Sequence, residues 1–402
     1  MKILLFTGKG GVGKTTTALA TAVRAAAEGH KTLVMSVDAA HSISDVLATA
    51  VGDEPVEIDA GLSAMCVDAQ ARLEQAWSGA QNYLRELVTR AGADPLSADE
   101  VTVIPGLQEL MALLAVQEQA HREVFDLIVV DCAPSAETLR LLALPQIVSW
   151  YAERLLPVHH RVLRHIAPIA SKLTDLPLPG ASTVSAISAL QTQLDDLVHL
   201  LSDEQITRAR LVLTPEKLAV AEARRTHSAL TLYGFVVDEI VVNRVIPNEG
   251  NDPWRSAWAA KQELSLIEAR ESFAGLTVRT VPYAAHEPIG IDQLRDLGGQ
   301  IYGDEESATF ATVTPAVRIT STPDSTIAGG YEFGMHIDIP HLDRSSLQVA
   351  RAGDDLVVTA GGYRRYIALS SALRRCDVAA ASYAGSVLSL TFHPDPAVWP
   401  GL

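Results

Sequence analysis

Cysteine is scarce in this sequence. Three occur in 402 residues, Cys66, Cys132 and Cys376, and no two form a Cys-x-x-Cys pair. That spacing excludes a disulfide framework and a local cysteine zinc site, and it suits reduced thiols in a cytoplasmic compartment. Basic residues are outnumbered, with 32 Lys and Arg against 48 Asp and Glu, for a net charge of −16. So acidic a surface repels phosphate backbones and anionic lipid, which argues against nucleic acid as a partner. No apolar run approaches the roughly 20 residues of a membrane span. Met1-Lys2 leads straight into a strand-like run, with no signal-peptide pattern. The expectation is a soluble cytoplasmic chain with no integral membrane segment.

Apolar residues make up 48% of the chain and charged residues 20%, enough for a sizeable core. The run KILLFT at Lys2–Thr7 is short, apolar and followed by glycines, as a buried parallel strand would be. Thr15–Glu28 is Ala-rich, has no breaker and stops at Gly29, so it reads as a helix. Lys31–Val37 is the next strand, and together these form a βαβ unit. Further strands are expected at Phe125–Asp131, Arg210–Thr214, Val236–Arg244 and Leu276–Val281, alternating with helices. The fold class is α/β, with a mostly parallel sheet covered on both faces and a helical insertion between Val67 and Ser202.

After about Gly303 the composition changes. Residues 303–330 read as a linker rich in Ser, Thr, Pro and Gly. From Tyr331 the chain alternates in short strands (331–339, 347–351, 355–360, 364–368 and 387–392), the pattern of a small all-β sandwich. The expected domains are 1–302, a linker at 303–330, and 331–395.

A loop that wraps a triphosphate must bring backbone N–H groups against anionic oxygens, and side chains would block that approach. Gly8, Gly10, Gly11 and Gly13 supply the bare backbone around Lys9 and Val12. Lys14 offers a cation to the β- and γ-phosphates, Thr15 a hydroxyl to Mg²⁺, and the following helix its N-terminal dipole. Strand, glycine loop and helix occur in the order this P-loop motif requires. Asp131 closes the apolar run LIVVD, placing a carboxylate at a buried strand end toward Mg²⁺, directly or through water. Asp38 ends the second strand, where a carboxylate can orient or deprotonate a water, or can cap a helix. Asn243 ends another strand, and its amide offers a donor and an acceptor to an adenine edge, or completes a turn.

Together these elements resemble the ArsA-type ATPases, which include the arsenite-pump ATPase and the tail-anchored-protein targeting ATPase of the guided-entry pathway. KGGVGKTT at Lys9–Thr16 looks like the deviant Walker A loop of that class. The resemblance implies that Lys9 reaches the partner's phosphates across a homodimer, and that Thr16 belongs to the nucleotide loop. Asp38-Ala39-Ala40-His41 is similar to the switch I motif Asp-Pro-Ala-His, implying that Asp38 activates the hydrolytic water. The stretch 131–140 is similar to switch II, with Ala136-Glu137 where the family has Gly-His. Val242-Asn243-Arg244 matches the adenine-contacting asparagine, and Val281-Pro282-Tyr283 falls at the adenine loop. The tail, through "GDDLVVTAG" and "YAGSVLSL", resembles the α-crystallin (small heat-shock) domain. A subgroup of the family lacks the zinc motif and carries this tail.

The resemblance implies an ATP-hydrolysing dimeric switch, using ATP and Mg²⁺ without zinc, that takes up hydrophobic or tail-anchored clients. Leu139–Leu156 and Val184–Leu201 are candidate walls of a client groove, or ordinary core. Only five methionines stand in the chain, whereas the family's groove is methionine-rich. The alternatives are an ATPase subunit of an anion or metalloid transport system and a non-enzymatic holdase. Arsenite is a poor fit, because a soft ligand needs several converging thiolates.

Overall fold

Five of the six residues in Lys2–Thr7 are buried, and this strand (β1) is the axis on which the larger domain is built. A computed structural model describes residues 1–38, 42–75, 107–132, 181–248, 252–312, 315–324, 326 and 330–399. After β1, helix α1 spans Lys14–Ala27 and strand β2 spans Thr32–Ser36. A short helix α2 (Ser42–Leu47) and the hairpin β3 (Val56–Asp59) and β4 (Leu62–Cys66) follow. Then come α3 (Leu107–His121), β5 (Leu127–Asp131), α4 (Ala181–Ser202), β6 (Thr207–Leu213) and α5 (Lys217–Leu232). The larger domain ends with β7 (Val237–Val245), α6 (Pro253–Ser272), β8 (Thr277–Pro282) and α7 (Ile291–Tyr302).

The sheet order is β3-β4-β2-β5-β1-β6-β7-β8. Every pairing is parallel except β3 with β4. β1 therefore lies between β5 and β6, and the loop after it opens at the C-terminal edge, where α/β sheets hold ligands. Helices cover both faces. One core joins α1 and α7 to the sheet through residues such as Leu19, Val23, Leu294 and Ile301. The other joins α3 to α6 to it through Leu113, Val116, Leu197 and Leu266.

Each expected strand of this domain is present, Lys2–Thr7 with its bounds unchanged and the others with shifted ends. Two were not anticipated. β3 is short and exposed, and β4 completes a hairpin at the sheet edge. β6 begins at Thr207, ahead of the expected Arg210, because Arg208 and Arg210 are buried rather than solvated. Arg210 is fully enclosed, donates to Tyr302 Oη at 3.0 Å and Ser307 O at 2.8 Å, and lies 3.2 Å from Glu239. Asp238 is 3.5 Å away, so two carboxylates face one guanidinium.

The second domain has two sheets, β14-β15-β10-β9 and β11-β12-β13. Its strands are β9 (Val317–Pro323), β10 (Tyr331–Asp338), β11 (Gln348–Ala352), β12 (Asp355–Ala360), β13 (Tyr363–Ala368), β14 (Cys376–Ala384) and β15 (Val387–Pro394). Alternate residues of β12 and β15 turn inward, as the period of two requires. The expected linker at 303–330 needs correction. Val317–Pro323 is strand β9, paired antiparallel to β10 across its length. Its outward face is so exposed that the apolar alternation which marks a strand is faint. The Ala-rich β14 was likewise not anticipated.

The sandwich packs on the larger domain through α5. Leu232 is counted within the sandwich core, and Arg365 Nη1 donates to its carbonyl at 2.7 Å. His227 Nδ1 lies 3.2 Å from His341 Nε2, and Ser228 Oγ donates to the Pro340 carbonyl. Among the described residues no helix is long and apolar enough to cross a membrane.

Candidate functional site

The loop between β1 and α1 packs too closely for side chains at two positions. A Cβ on Gly8 would collide with the Val212 carbonyl of β6, and one on Gly13 with the Asn243 amide. Gly13 is also left-handed (φ 92°) and caps α1, whose first turn carries no acid. The free N–H groups at that helix start are therefore open to an anion without competition from a side-chain carboxylate. Gly10, Gly11 and Lys9 are exposed at the tip, while Val12 is buried and anchors the loop. Lys14 is 7% exposed, and its Nζ lies 3.4 Å from the Lys9 carbonyl, bent back over the loop.

Thr15 Oγ1 donates to Asp131 Oδ2 at 2.7 Å. The carboxylate stands at the end of β5, in register with Phe6 of β1 and Ser36 of β2, and is wholly buried. Its other oxygen, Oδ1, has no hydrogen-bond partner among the described residues. Burial pushes the Asp131 carboxyl up to about 7; the Thr15 hydrogen bond and the Lys14 charge pull it back, and Asp38 adds to the rise. A buried carboxylate with an orphaned oxygen beside a threonine hydroxyl is a hard-oxygen donor set, which fits Mg²⁺. Thr7 Oγ1, one strand away, is a further buried hydroxyl without a partner among the described residues. Its position in an apolar strand gave no signal of this.

Asp38 is half-buried just after β2, and its N–H donates to Ser36 Oγ at 3.2 Å. Its charge is felt at Asp131, so the two carboxylates share one neighbourhood. Ala39 to His41, and Ala136 and Glu137 with the rest of 133–140, lie outside the described residues.

Asn243, near the end of β7, donates from Nδ2 to the Val12 carbonyl at 2.9 Å and accepts from the Arg244 N–H at 2.9 Å. The amide keeps one N–H and one lone pair for a ligand. Beside it is a cavity of about 290 Å³ lined by Gly13, Thr16, Asn243, Arg244, Pro282 and Tyr283, among others. That is the lower end of the ~300–1,000 Å³ typical of small-ligand pockets. Pro282 ends β8, and the Tyr283 N–H donates to Val245 O at 2.8 Å.

The fold thus brings Gly8–Thr16, Asp38, Asp131, Asn243 and Pro282 to one edge of one sheet. The three thiols do not converge. Cys66 ends β4 and Cys132 follows β5, with β2 between them, and Cys376 is in the sandwich. Of the candidate groove walls, 139–156 lies outside the described residues. The end of α4 buries Leu194, Leu197 and Leu201 in the core.

A family model described as "Anion-transporting ATPase" matches residues 1–303, and one described as "HSP20-like domain found in ArsA" matches 330–392. Among curated proteins, a putative arsenical pump-driving ATPase of Chlorobaculum tepidum is 32% identical over 98% of this chain and 96% of its own length. Protein Rv2184c of Mycobacterium tuberculosis is 37% identical over 99% of this chain and 97% of its own. ATPase GET3B of Arabidopsis thaliana is 29% identical over 75% of this chain and 79% of its own.

Proposed function

The chain belongs to the ArsA-type, anion-transporting ATPase family, and from that premise we propose that it is a dimeric switch closed by Mg·ATP and reopened by hydrolysis. The observation that carries this reading is the buried Asp131 carboxylate, with one oxygen on Thr15 and the other unpartnered among the described residues. Thr15 and Asp131 would hold magnesium, which when bound neutralises charge on the phosphates. Lys14 swings from the Lys9 carbonyl to the β- and γ-phosphates. Asn243 and Pro282 border the base. Asp38 holds the attacking water and takes its proton, and the exposed Lys9 serves the phosphates of the facing copy.

The output of the switch is the capture of hydrophobic or tail-anchored protein segments. An HSP20-like domain packed against α5 supports this reading, since it joins a β-sandwich to the body proposed to close on ATP. A metalloid-pump role has the names of several relatives in its favour. It has against it three buried thiols that stand apart, where a soft ion needs several thiolates together. Sedimentation with Mg²⁺ and a non-hydrolysable ATP analogue tests the core of the proposal. The expected result is conversion to dimer that Lys14→Ala abolishes, together with tighter binding of an apolar helical peptide. A chain that stays monomeric with bound nucleotide would refute the switch.

A further inference from the structure

Strand β7 is irregular where it reaches the site. Val242 pairs with Thr280 of β8, but the next pair is Val245 with Pro282. Three steps on β7 thus match two on β8, so one residue is extra and the strand bulges. Within the bulge Arg244 is left-handed, with φ 62°. A non-glycine residue is held there only when its surroundings impose it. On the other side β6 has already ended, its last pairing being Leu213 with Val242. The sheet therefore offers no rung to the Arg244 carbonyl or the Ile246 N–H.

Gln262 supplies both. It sits on α6, 6% exposed; its Oε1 accepts from the Ile246 N–H at 2.7 Å, and its Nε2 donates to the Arg244 carbonyl at 3.2 Å. One carboxamide thus replaces two ladder bonds and brackets Val245, directly after the left-handed residue. The bulge in turn aims the Asn243 amide at Val12 and the cavity, and the Arg244 N–H back onto Asn243 Oδ1. Bulges commonly re-aim a side chain beside a site in this way.

We propose that Gln262 is a positioning residue for the nucleotide base: by clamping the Arg244 bulge it sets the Asn243 amide and the wall of the base cavity. The proposal rests on the nucleotide reading above. It adds a residue that does not touch the ligand and that governs recognition of the base rather than of the phosphates. Removing the clamp leaves two sheltered backbone groups unpaired, and they recover partners only if Arg244 leaves its left-handed state and turns Asn243 away.

The test compares Mg·ATP with inorganic tripolyphosphate, which carries phosphates and no base, on the full chain. Gln262→Met keeps the volume and removes both hydrogen bonds. The expected result is a rise of about tenfold in KM for ATP, with kcat within about twofold and the tripolyphosphate Kd unchanged. Gln262→Glu keeps the acceptor and, when protonated, the donor, so its ATP affinity relative to wild type at the same pH should recover as pH falls from 8 to 6. A Gln262→Met protein that weakens both ligands equally, or neither, overturns the proposal. If that variant does not fold, a Gln262→Glu protein whose ATP affinity keeps a constant ratio to wild type from pH 8 to 6 does the same. A wild-type protein that binds ATP no better than tripolyphosphate removes the base pocket itself and this proposal with it. That outcome is recognisable because it appears before any substitution is made.

Discussion

Acid should loosen the grip between the two domains, and His227 sets the size of the effect. The ring stacks obliquely on Phe273, with centroids 5.7 Å apart, and shares a hydrogen bond with His341. Burial, and then the neighbouring His341, push the His227 imidazolium down from 6.5 to about 3; burial and Arg224 push His341 down to about 4. The charged groups facing the pair are Arg224 on α5 and Asp338 across the adjoining cavity. Both rings are neutral when folded, whereas an unfolded chain protonates them near 6.5. Stability is therefore fully present above 6.5 and declines as pH falls toward 3–4. At pH 5, about 1.5 units below 6.5, His227 alone removes about 2 kcal/mol, at about 1.4 kcal/mol per unit. His341 is at the exposed rim, where solvent screens its share, so it adds less. If the sandwich melts as its own transition, a domain of that size shifts by about 4–8 °C per kcal/mol. Calorimetry at pH 8 and pH 5 on wild type and on His227→Gln, which keeps a hydrogen-bonding amide without the titration, isolates this group from the many surface acids. Equal losses on acidification in the two proteins would refute the reasoning.

Three other outcomes concern the site. Asp38→Asn should bind ATP normally and hydrolyse it at least about tenfold more slowly, because a positioned base contributes ~10²–10⁴; an unchanged kcat in steady-state assays removes Asp38 from the chemistry. Lys9→Ala should retain nucleotide binding by calorimetry but lose most turnover, and wild-type turnover would argue against service to a facing copy. Asp131→Asn keeps an acceptor for Thr15 but gives up the charge, so magnesium should no longer strengthen ATP binding. An undiminished magnesium increment in titrations with and without the ion would exclude Asp131 from the metal position.

What could be read from the sequence was what is local. Lys2–Thr7, the glycine loop, the start of α1 and the run ending at Asp131 each declare themselves within a few residues, because a buried parallel strand is apolar throughout and a phosphate loop needs glycine. β6 was placed too short because Arg208 and Arg210 look like solvated charges. Their burial depends on Asp238 of the next strand and on Tyr302 some ninety residues away, a pairing that no window reveals. β9 and β14 were overlooked because an exposed edge strand or an alanine-rich one lacks the alternating apolar face that identifies a strand. The strand-end position of Asn243 marks its amide as a candidate, but its contact with Val12 and the clamp from Gln262 cannot be read locally. Those need residues 231 and 18 positions apart to meet.

On the proposed reading, the same long-range contacts would let base and phosphate be read as one ligand. The Val12 carbonyl belongs to the phosphate loop, and the amide that donates to it borders the base cavity. Bulk added at Gly13 would drive Asn243 off Val12, and a flattened bulge at Arg244 would do so from the other side. A single hydrogen bond therefore carries any displacement from one half of the site to the other. Thr15 forms a second such link, since its backbone lies in the loop and its hydroxyl is on Asp131 at the end of β5. A triphosphate that drew Lys14 off the Lys9 carbonyl would thus pull on a loop already fastened at both ends, to the proposed base side through Val12 and to the proposed metal side through Thr15. Motion forced on that loop must appear at β5 and β7, and the segment continuing from β5 begins at Cys132, directly after the carboxylate.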